Sequence, residues 1–426
     1  MDPETSPPDS LTCPRSSVAD DPRSGALKAL LLEKVHPVAE AMLRAAGVEV
    51  EARPGALEGR ELVEAVRGAS ILGIRSRSRV DAEVLAAAPE LLAIGCFCIG
   101  TNQVDLGVAA AHGVPVFNSP FGNTRSVAEL TLAEIVMLLR GVFDRSTELH
   151  RGIWRKTAEG AREVRGRTLG IVGYGHIGSQ LSVLAESLGM HVVFFDIDHR
   201  LPLGNAVALG SLEELLERSD VVSLHVPETD LTRGMIGAPE IARMRRGAIL
   251  VNNARGSLVD LDAAADSLRR GHLRGIAADV FPNEPESNGP GFATPLAGAP
   301  NSILTPHVGG STEEAQEAIG RDVAEKLLRH AIGGSTRGAV NVPEVDLPRR
   351  REGAHRILHF HRNVPGVLGR MHTLLASRGI NITAEYLQSD AHLSYVILEV
   401  DPADAEVVRR DLASVPETIR VRTLWD

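Results

Sequence analysis

The chain has 426 residues, too many for one compact core, and so predicts two or three domains. Its 45 Lys and Arg residues against 55 Asp and Glu residues give a net charge of −10, which argues against nucleic acid or an anionic membrane as a partner. No apolar run has the ~18 residues that a membrane-spanning helix requires.

Neither the N-terminal segment nor the cysteines predict a catalytic or metal site. Residues 1–24 are rich in Pro, Ser and acidic residues without apolar periodicity, so we predict a disordered tail. The sparse cysteines and the lack of a signal peptide fit a reducing cytoplasm. Cys96 and Cys98 are separated by one residue in an apolar run. Without a second pair of cysteines, this spacing favours core packing over a metal site.

From residue 26, strand and helix patterns alternate and predict an open α/β lobe. The predicted strands are 27–32, 70–74, 91–98 and 115–118, and the predicted helices start near His36, Leu57, Asp81 and Val104. Ser126 and Glu129 then fit the S-x-x-E capping box, which predicts a long helix from Ser126 to about Leu149. We interpret that helix as a connector between two lobes.

A glycine turn after the next strand, 169–173, predicts a dinucleotide-binding site. Gly173 permits a tight turn, Gly175 lets the backbone approach a pyrophosphate, and Gly178 lets the following helix pack on the strand. The N-terminus of that helix then faces the phosphates. A second strand ends at Asp196, which can bind the ribose hydroxyls and repels a 2′-phosphate, so NAD is favoured over NADP.

The remaining patterns complete this second lobe and add a third unit. Strands at 220–226, 247–253, 275–281 and 302–305 bring the nucleotide lobe to six, with helices starting at Ser211 and near Leu261. A helix from Ser311 to about Ala331 precedes a predicted linker over 333–352. A βαββαβ pattern follows, with strands at 355–361, 380–388, 393–400 and 418–425, one helix with Pro365 near its first position and another started by Asp401.

Three residues follow successive strands of the nucleotide lobe: Arg255, Glu284 and His307. Ligands of an open α/β sheet bind at the carboxyl ends of the strands, so we expect these side chains to converge. A histidine suits the base that takes a hydroxyl proton, a carboxylate orients that histidine, and an arginine binds a substrate carboxylate. Together they predict a dehydrogenase acting on a secondary alcohol.

The chain resembles the D-isomer-specific 2-hydroxyacid dehydrogenases, and within them the bacterial D-3-phosphoglycerate dehydrogenases that carry an ACT domain. The matching segments lie at 75–77, 94–105, 123–129, 173–178, 220–227, 255–256, 279–282 and 305–311. The resemblance implies two doubly wound lobes, Rossmann-like and flavodoxin-like, plus a ferredoxin-like ACT domain. The expected domains are 25–122 with 310–345 for substrate, 123–309 for NAD, a linker at 346–353, and the ACT domain at 354–426.

The resemblance also implies roles for individual residues. Arg255 is expected to bind the substrate carboxylate, Glu284 to pair with the histidine, and His307 to act as acid and base. The expected NAD contacts are Gly173, Gly175, His176, Ile177, Gly178, Asp196, Asn253, Ala254, Arg255, Asp279, His307, Gly309 and Gly310.

A phosphorylated substrate is expected from basic residues outside the nucleotide lobe. Arg75 and Arg77 alternate at a predicted strand end, which places both on one face. Lys156 follows the connector helix, in a segment that reaches the neighbouring subunit in the resembled family. Asn102 completes the expected substrate site. The alternative for Arg75 and Arg77 is a solvated strand edge, which the resemblance disfavours.

The resembled ACT domains bind serine, which implies an allosteric site at His361, Asn363 and Asn381 across a two-fold contact between domains. Arg362 and Val364 depart from the family pattern, where Glu and Arg are frequent. A module that only assembles subunits is the alternative. The expected partners are therefore 3-phosphoglycerate, L-serine as inhibitor and further copies of the chain, most simply as a homotetramer, with neither nucleic acid nor membrane.

The expected function is NAD-dependent oxidation of 3-phospho-D-glycerate to 3-phosphohydroxypyruvate, the first step of L-serine synthesis, in the cytoplasm. Another D-2-hydroxyacid dehydrogenase is the alternative, acting on glycerate, D-lactate or 2-oxoglutarate, the last reduced to 2-hydroxyglutarate. A formate dehydrogenase is disfavoured because the acid Glu284, and not an amide, follows the strand. From a different class, a nucleotide-gated regulatory protein without turnover is disfavoured by the intact Arg255, Glu284 and His307.

Overall fold

The computed structural model describes residues 27–285, 288–348 and 353–424. Two compact units divide the chain, one formed by Met1–Pro120 with Glu317–Asp426 and the other by Phe121–Gln316. The predicted tail at 1–24 and residues 349–352 of the predicted linker lie outside the described residues. Within the described ranges, no helix is both long and apolar enough to cross a bilayer.

The first unit begins with a parallel five-stranded sheet in the order β2-β1-β3-β4-β5, the flavodoxin-like arrangement. Its strands are β1 (Lys28–Leu31), β2 (Glu49–Ala52), β3 (Ile71–Ile74), β4 (Ala93–Cys96) and β5 (Val116–Asn118), and its helices are α1 (Pro37–Ala45), α2 (Gly59–Ala65), α3 (Ala82–Ala87) and α4 (Leu106–Ala111). The prediction missed β2, because only Val50 of that strand is buried and the polar remainder gives no apolar run.

The second unit contains a parallel seven-stranded sheet in the order β12-β11-β10-β9-β6-β7-β8. Its strands are β6 (Thr168–Val172), β7 (His191–Phe195), β8 (Val207–Ala208), β9 (Val221–Leu224), β10 (Ala248–Asn252), β11 (Leu273–Ala278) and β12 (Ser302–Leu304). Its helices are α5 (Thr124–Arg140), α6 (Val142–His150), α7 (His176–Ser187), α8 (Leu212–Arg218), α9 (Ala238–Arg243) and α10 (Leu261–Arg269), with a 3-10 turn at Gly256–Leu258. The six predicted strands are present, and the exposed two-residue β8 is a seventh.

The predicted connector helix is wrong in two respects. Helix α5 begins at Thr124 after Asn123, so Ser126 lies inside it and its hydroxyl contacts the Thr312 hydroxyl at 2.8 Å and forms no capping box. Glu129 instead pairs with Arg125. The helix also ends at Gly141, whose φ of 58° lets the chain turn in the left-handed region before α6 starts.

After α11 (Glu313–Gly333), the chain forms the predicted βαββαβ unit with an antiparallel sheet in the order β14-β15-β13-β16. Its elements are β13 (His355–Arg362), α12 (Val367–Ser377), β14 (Ile382–Ser389), β15 (Leu393–Val400), α13 (Ala405–Ala413) and β16 (Thr418–Leu424). Two helix starts differ from the prediction. Pro365 precedes α12, whose N-cap is Gly366, and the side chain that caps α13 is Asp404 rather than Asp401.

This βαββαβ domain, the predicted ACT domain, packs against the segment that precedes it in the chain. Leu358, Phe360 and Tyr395 form a buried cluster with Val342 and Val345 of the segment before it. The Tyr395 hydroxyl donates to the Gly334 carbonyl at 2.6 Å. Residues 334, 342 and 345 of the predicted linker over 333–352 are therefore packed against this domain.

Candidate active site

Two residues that follow neighbouring strands of the second unit form the centre of the candidate site. His307 follows β12, and Glu284 lies in the loop after β11. The Nδ1 atom of His307 lies 2.7 Å from Oε2 of Glu284, while the other carboxylate oxygen accepts a hydrogen bond of 3.0 Å from the Phe281 N–H. Glu284 therefore fixes the orientation of the imidazole ring, whose Nε2 atom remains for a ligand.

Asp279 organises the loop that carries His307. Its buried carboxylate accepts hydrogen bonds from the Thr305 hydroxyl at 2.6 Å and from the N–H groups of Val308 and Gly309 at 2.8 and 2.7 Å. Its carbonyl accepts a bond of 2.7 Å from the His307 N–H. The φ angle of His307 is 54°, a left-handed conformation that costs ~1–3 kcal/mol unless its surroundings enforce it. The hydrogen bonds from this loop to Asp279 stabilise that conformation.

The electrostatics of the pair favour a charged carboxylate beside a basic histidine. Burial by itself would raise the pKa of Glu284, but the hydrogen bonds from His307 and from the Phe281 N–H outweigh it and lower that pKa. The hydrogen bond to Glu284 raises the pKa of His307 above its ordinary value of 6.5. The ring is therefore a stronger base than an isolated histidine. A cavity of about 520 Å³ adjoins the pair.

Arg255 reaches the same region from the end of β10. The Asn252 amide donates to the Arg255 carbonyl at 2.9 Å and its oxygen accepts from the Ala254 N–H at 3.2 Å, which shapes the loop. The guanidinium charge of Arg255 lowers the pKa values of both Glu284 and His307 as a minor contribution. The three predicted catalytic residues are thus near neighbours, as their positions after successive strands predicted.

The glycine turn after β6 has the geometry that a dinucleotide requires. A Cβ on Gly173 (φ 90°) would lie 2.6 Å from the His225 carbonyl oxygen, so only glycine fits there. A Cβ on Gly175 would meet nothing within 4 Å, which leaves space above the turn, and α7 begins at His176 without a side-chain cap. Its N–H groups therefore remain to bind phosphate oxygens. These residues fit a dinucleotide.

The other residues of the predicted cofactor site lie around this turn. Asp196 follows β7, and its carboxylate accepts hydrogen bonds of 2.7 Å from the Tyr174 N–H and 2.9 Å from the Asp198 N–H. The His176 ring packs on the Phe121 ring with centroids 3.8 Å apart. Gly309 and Gly310 lie against Asp279 and Asn123, where a Cβ would be crowded. Asn253 and Ala254 line the loop before Arg255, and Ile177 and Gly178 open α7.

The predicted phosphate-binding residues Arg75, Arg77 and Asn102 belong to the first unit, whereas Lys156 belongs to the second. The expectation that Arg75 and Arg77 alternate on a strand is wrong, because β3 ends at Ile74. They lie in a loop wrapped around the buried Glu33, which accepts hydrogen bonds from the N–H groups of residues 76, 77 and 78 at 2.9–3.0 Å. Backbone bonds to one carboxylate, rather than strand pleat, thus position both arginines.

Cys96 and Cys98 lie in and just after strand β4. Cys96 is buried in β4, and burial raises the pKa of its thiol well above its usual range. Cys98 lies within hydrogen-bond distance of the Arg75 and Gly100 carbonyls at 3.4 and 3.1 Å. Over the described parts of the chain, no three His, Cys, Asp or Glu side chains come together as a metal ion would need.

The predicted allosteric residues occupy opposite ends of the ACT sheet. His361 is the second-to-last residue of β13 and pairs across the sheet with Ser394, which in turn pairs with Ser389 at the end of β14. The Asn363 amide donates to the Asp390 carbonyl at 2.7 Å and so lies beside that same end. Asn381 precedes the start of β14, next to Asp401. Within one copy of the chain these three residues do not converge.

Sequence reasoning missed the buried carboxyl group of Glu134 in helix α5. It accepts a hydrogen bond from Asn253 in the loop before Arg255. Sequence reasoning also missed Glu33, whose carboxylate binds the Arg75 loop. A lone acid within an apolar pattern is the signal that could have found Glu134, because such a charge needs a partner.

Comparison with known proteins then decides the family. Residues 132–309 match the model of the D-isomer specific 2-hydroxyacid dehydrogenase NAD-binding domain, and residues 357–420 match the AHAS small subunit-like ACT domain. The chain is 51% identical over 403 residues to D-3-phosphoglycerate dehydrogenase of Escherichia coli strain K12, covering 94% of this chain and 98% of that one. The chain belongs to the D-3-phosphoglycerate dehydrogenase family.

More distant relatives agree with this family. D-3-phosphoglycerate dehydrogenase of Dictyostelium discoideum is 47% identical, covering 94% of this chain and 97% of that one. A crystal structure of a Thermus thermophilus protein superposes with a TM-score of 0.67 at 36% identity, covering 74% and 100% of the two chains. The NAD complex of a D-isomer specific 2-hydroxyacid dehydrogenase from Lactobacillus delbrueckii gives 0.66 at 25% identity, covering 74% and 100%. The protein is an NAD-dependent dehydrogenase of mixed α/β fold with a C-terminal ACT domain.

Proposed function

We propose that the protein oxidises 3-phospho-D-glycerate to 3-phosphohydroxypyruvate with NAD, the first step of L-serine synthesis, and that L-serine inhibits it. The observation that supports this reaction is the pair of His307 and Glu284, whose Nδ1 and Oε2 atoms lie 2.7 Å apart beside Arg255. The chain that holds this pair is 51% identical to D-3-phosphoglycerate dehydrogenase of Escherichia coli. The expected location is the cytoplasm.

The residues divide the chemistry between them. His307 takes the proton of the substrate hydroxyl on Nε2, since its Nδ1 is held by Glu284. The imidazolium that forms is stabilised by the Glu284 carboxylate, whose lowered pKa keeps it charged. Arg255 binds the substrate carboxylate through two N–H groups and polarises the carbonyl in the reverse direction. NAD, when bound, accepts the hydride from the carbon that bears the hydroxyl.

The cofactor residues follow the same logic. Gly173, Gly175 and Gly178 admit the pyrophosphate, which the N–H groups of His176 and Ile177 bind, and Asp196 binds the ribose. The loop residues Asn253, Ala254, Gly309 and Gly310 contact the nicotinamide half through their backbones. The Asp279 carboxylate accepts three hydrogen bonds from the protein. We therefore assign Asp279 mainly to holding the His307 loop, and only secondarily to contacting the cofactor.

The substrate phosphate is bound, in this proposal, by Arg75, Arg77 and Lys156, with Asn102 alongside. The three cations match a phosphate dianion, whereas D-lactate offers none of the charge that they would bind. The alternative reaction is that of another D-2-hydroxyacid dehydrogenase, including reduction of 2-oxoglutarate. The arginines of the Arg75 loop, whose backbone the Glu33 carboxylate holds, favour a substrate that carries a phosphate as well as a carboxylate.

Serine inhibition rests on a second copy of the chain. Strand β14 is an edge of the ACT sheet, so two copies can pair their β14 strands antiparallel. That pairing carries Asn381 of one copy toward the end of β14 in the other, where Asn363 and His361 lie. This contact between ACT domains, together with a second contact between dehydrogenase lobes, would assemble a homotetramer.

One assay series tests the proposal. Purified full-length protein is given NAD with 3-phosphoglycerate, D-lactate or 2-hydroxyglutarate, and NADH formation is followed by absorbance. We expect turnover with 3-phosphoglycerate to exceed that with the other two by at least about a hundredfold in kcat/KM, and millimolar L-serine to lower it. Equal or greater kcat/KM with another hydroxyacid would refute the substrate. No effect of serine on rate or thermal stability would refute the regulation alone.

A further inference from the structure

Two histidines of the ACT domain form a buried pair that the catalytic function does not use. His359 and His361 are two residues apart on β13, so their side chains share one face of the sheet. That face lies under the helices, because Ile357 two residues earlier packs with Met371 of α12 and Leu412 of α13. His359 is fully buried and His361 is 4% exposed.

A chain of hydrogen bonds links the two rings to the backbone. The Nδ1 atoms of His359 and His361 lie 3.1 Å apart, and Nε2 of His359 lies 2.9 Å from the Thr418 hydroxyl. That hydroxyl donates to the Leu412 carbonyl at 3.1 Å. A carbonyl oxygen accepts and never donates, so the chain has a fixed direction at this end.

The direction determines where each proton lies. Burial lowers the pKa of His359 to about 3 and lowers that of His361, so both rings are neutral and each carries one N–H. The Thr418 proton points to Leu412, so Thr418 accepts from Nε2 of His359. Nδ1 of His359 is then an acceptor, and Nδ1 of His361 must be the donor.

We propose that His359 is a positioning residue that holds the single proton of His361 on Nδ1, so that Nε2 of His361 recognises a hydrogen-bond donor of the ligand. The inference rests on the proposed serine site. The recognised group is the ammonium or the hydroxyl of the amino acid, and not its carboxylate. A carboxylate there would face a lone pair on an uncharged ring. The carboxylate instead binds donors such as the amides of Asn363 and Asn381.

A neutron structure of the deuterated full-length protein tests the proton positions without any ligand. We expect deuterium on Nδ1 of His361 and on Nε2 of His359. Deuterium on Nε2 of His361 would overturn the proposal. A crystal structure with L-serine gives the second result: an ammonium or hydroxyl within hydrogen-bond distance of His361 Nε2 supports the proposal, and a carboxylate oxygen there overturns it.

Variants of the full-length chain test the role of His359 in binding. We expect His359→Leu to weaken L-serine binding, measured by calorimetry, about tenfold, because His361 loses the acceptor that holds its proton. His359→Gln can still accept from His361 and donate to Thr418, so it should bind within about threefold of the unchanged protein. His372→Gln, at a histidine of α12 that contacts Glu385, is the matched control and should bind normally.

The outcomes separate this inference from the serine proposal. Unchanged serine binding by His359→Leu would overturn the role of His359 even if serine inhibits the enzyme. If the unchanged protein binds no serine, the regulatory proposal fails, and the neutron structure still decides whether His361 presents an acceptor. A loss of thermal stability in His359→Leu but not in His359→Gln, with equal serine affinity in both, would show a packing role only and would also overturn the inference.

Discussion

The Asn253 side-chain amide donates a hydrogen bond of 2.6 Å to the fully buried carboxyl group of Glu134. The same amide contacts the Thr131 hydroxyl at 3.0 Å, so helix α5 holds the loop that leads to Arg255. Burial raises the pKa of Glu134 from 4.5 to about 7, despite the opposing hydrogen bond from Asn253. A proton is therefore bound in the folded state at pH values where the unfolded chain has released it.

Glu134→Gln should make the stability of the protein less dependent on pH. An acid whose folded pKa is raised loses stability as pH increases from its unfolded value of 4.5 to about 7, and the loss persists above that. A shift of this size corresponds to up to about 3 kcal/mol. Thermal melts at about pH 5 and about pH 8 should show that the variant gains stability at the higher pH only. Equal gains at both values would mean that Glu134 is ionised throughout.

His307→Asn should abolish turnover and leave NADH binding nearly unchanged, because the ring acts on the substrate proton. Loss of general base catalysis alone lowers the rate by ~10²–10⁴-fold. The measurement is kcat for 3-phosphoglycerate together with NADH affinity from fluorescence. His191→Asn, at an exposed histidine that begins β7, is the matched control and should be active. More than a tenth of the normal rate in the His307 variant would contradict the assignment of the base.

Glu284→Gln should move the pH profile of oxidation to lower pH. The base form of His307 is required, so the rate rises with pH through the pKa of that ring, which the bond to Glu284 raises. Removing the carboxylate lowers the pKa, so the acid limb shifts downward, while the maximal rate falls because the imidazolium loses its anionic partner. The profile of kcat/KM from about pH 5 to about pH 10 measures this. An acid limb that stays in place would argue against the pairing.

Asp196→Ala should relax the choice of cofactor toward NADP. The carboxylate sits at the end of β7, bound to the Tyr174 and Asp198 N–H groups, where it repels a 2′-phosphate. The ratio of kcat/KM for NAD to that for NADP should fall by at least about tenfold. Asp198→Ala, at the exposed neighbour, should leave the ratio nearly unchanged. An unaltered ratio in the Asp196 variant would mean that this carboxylate does not face the ribose.

Asn381→Ala should raise the concentration of L-serine that halves the rate by about tenfold, without changing KM for 3-phosphoglycerate. Point variants are preferred to removal of the ACT domain, because Arg420 of that domain binds the Leu91 carbonyl of the first lobe and Tyr395 binds the Gly334 carbonyl just after α11. Thr373→Ala, at an exposed position within helix α12 of the same domain, is the control and should respond to serine normally. Unchanged inhibition in the Asn381 variant would place the effector elsewhere.

The sequence by itself determined the features that depend on short-range pattern. The glycine turn at Gly173, most of the alternating strands and helices, and the positions of Arg255, Glu284 and His307 after successive strands could be predicted, whereas the polar β2 and the short β8 could not. Each predicted feature follows from local periodicity and from the rule that parallel strands present their carboxyl ends at one edge. Helix boundaries were less secure: Ser126 fits a capping box in sequence, yet the chain starts α5 two residues earlier and turns at Gly141.

Only the tertiary structure decided which buried polar groups hold the site together. Asp279 binds the His307 loop, Glu33 binds the Arg75 loop, and Glu134 binds Asn253, in each case across a sequence separation of about 26 residues or more. The local sequence pattern does not indicate the partner of a buried carboxylate. Burial requires that the carboxylate accept a hydrogen bond, but the donor can lie anywhere along the chain. The proton order of His359 and His361 likewise depends on Thr418, which folding brings back onto β13 from near the C-terminus.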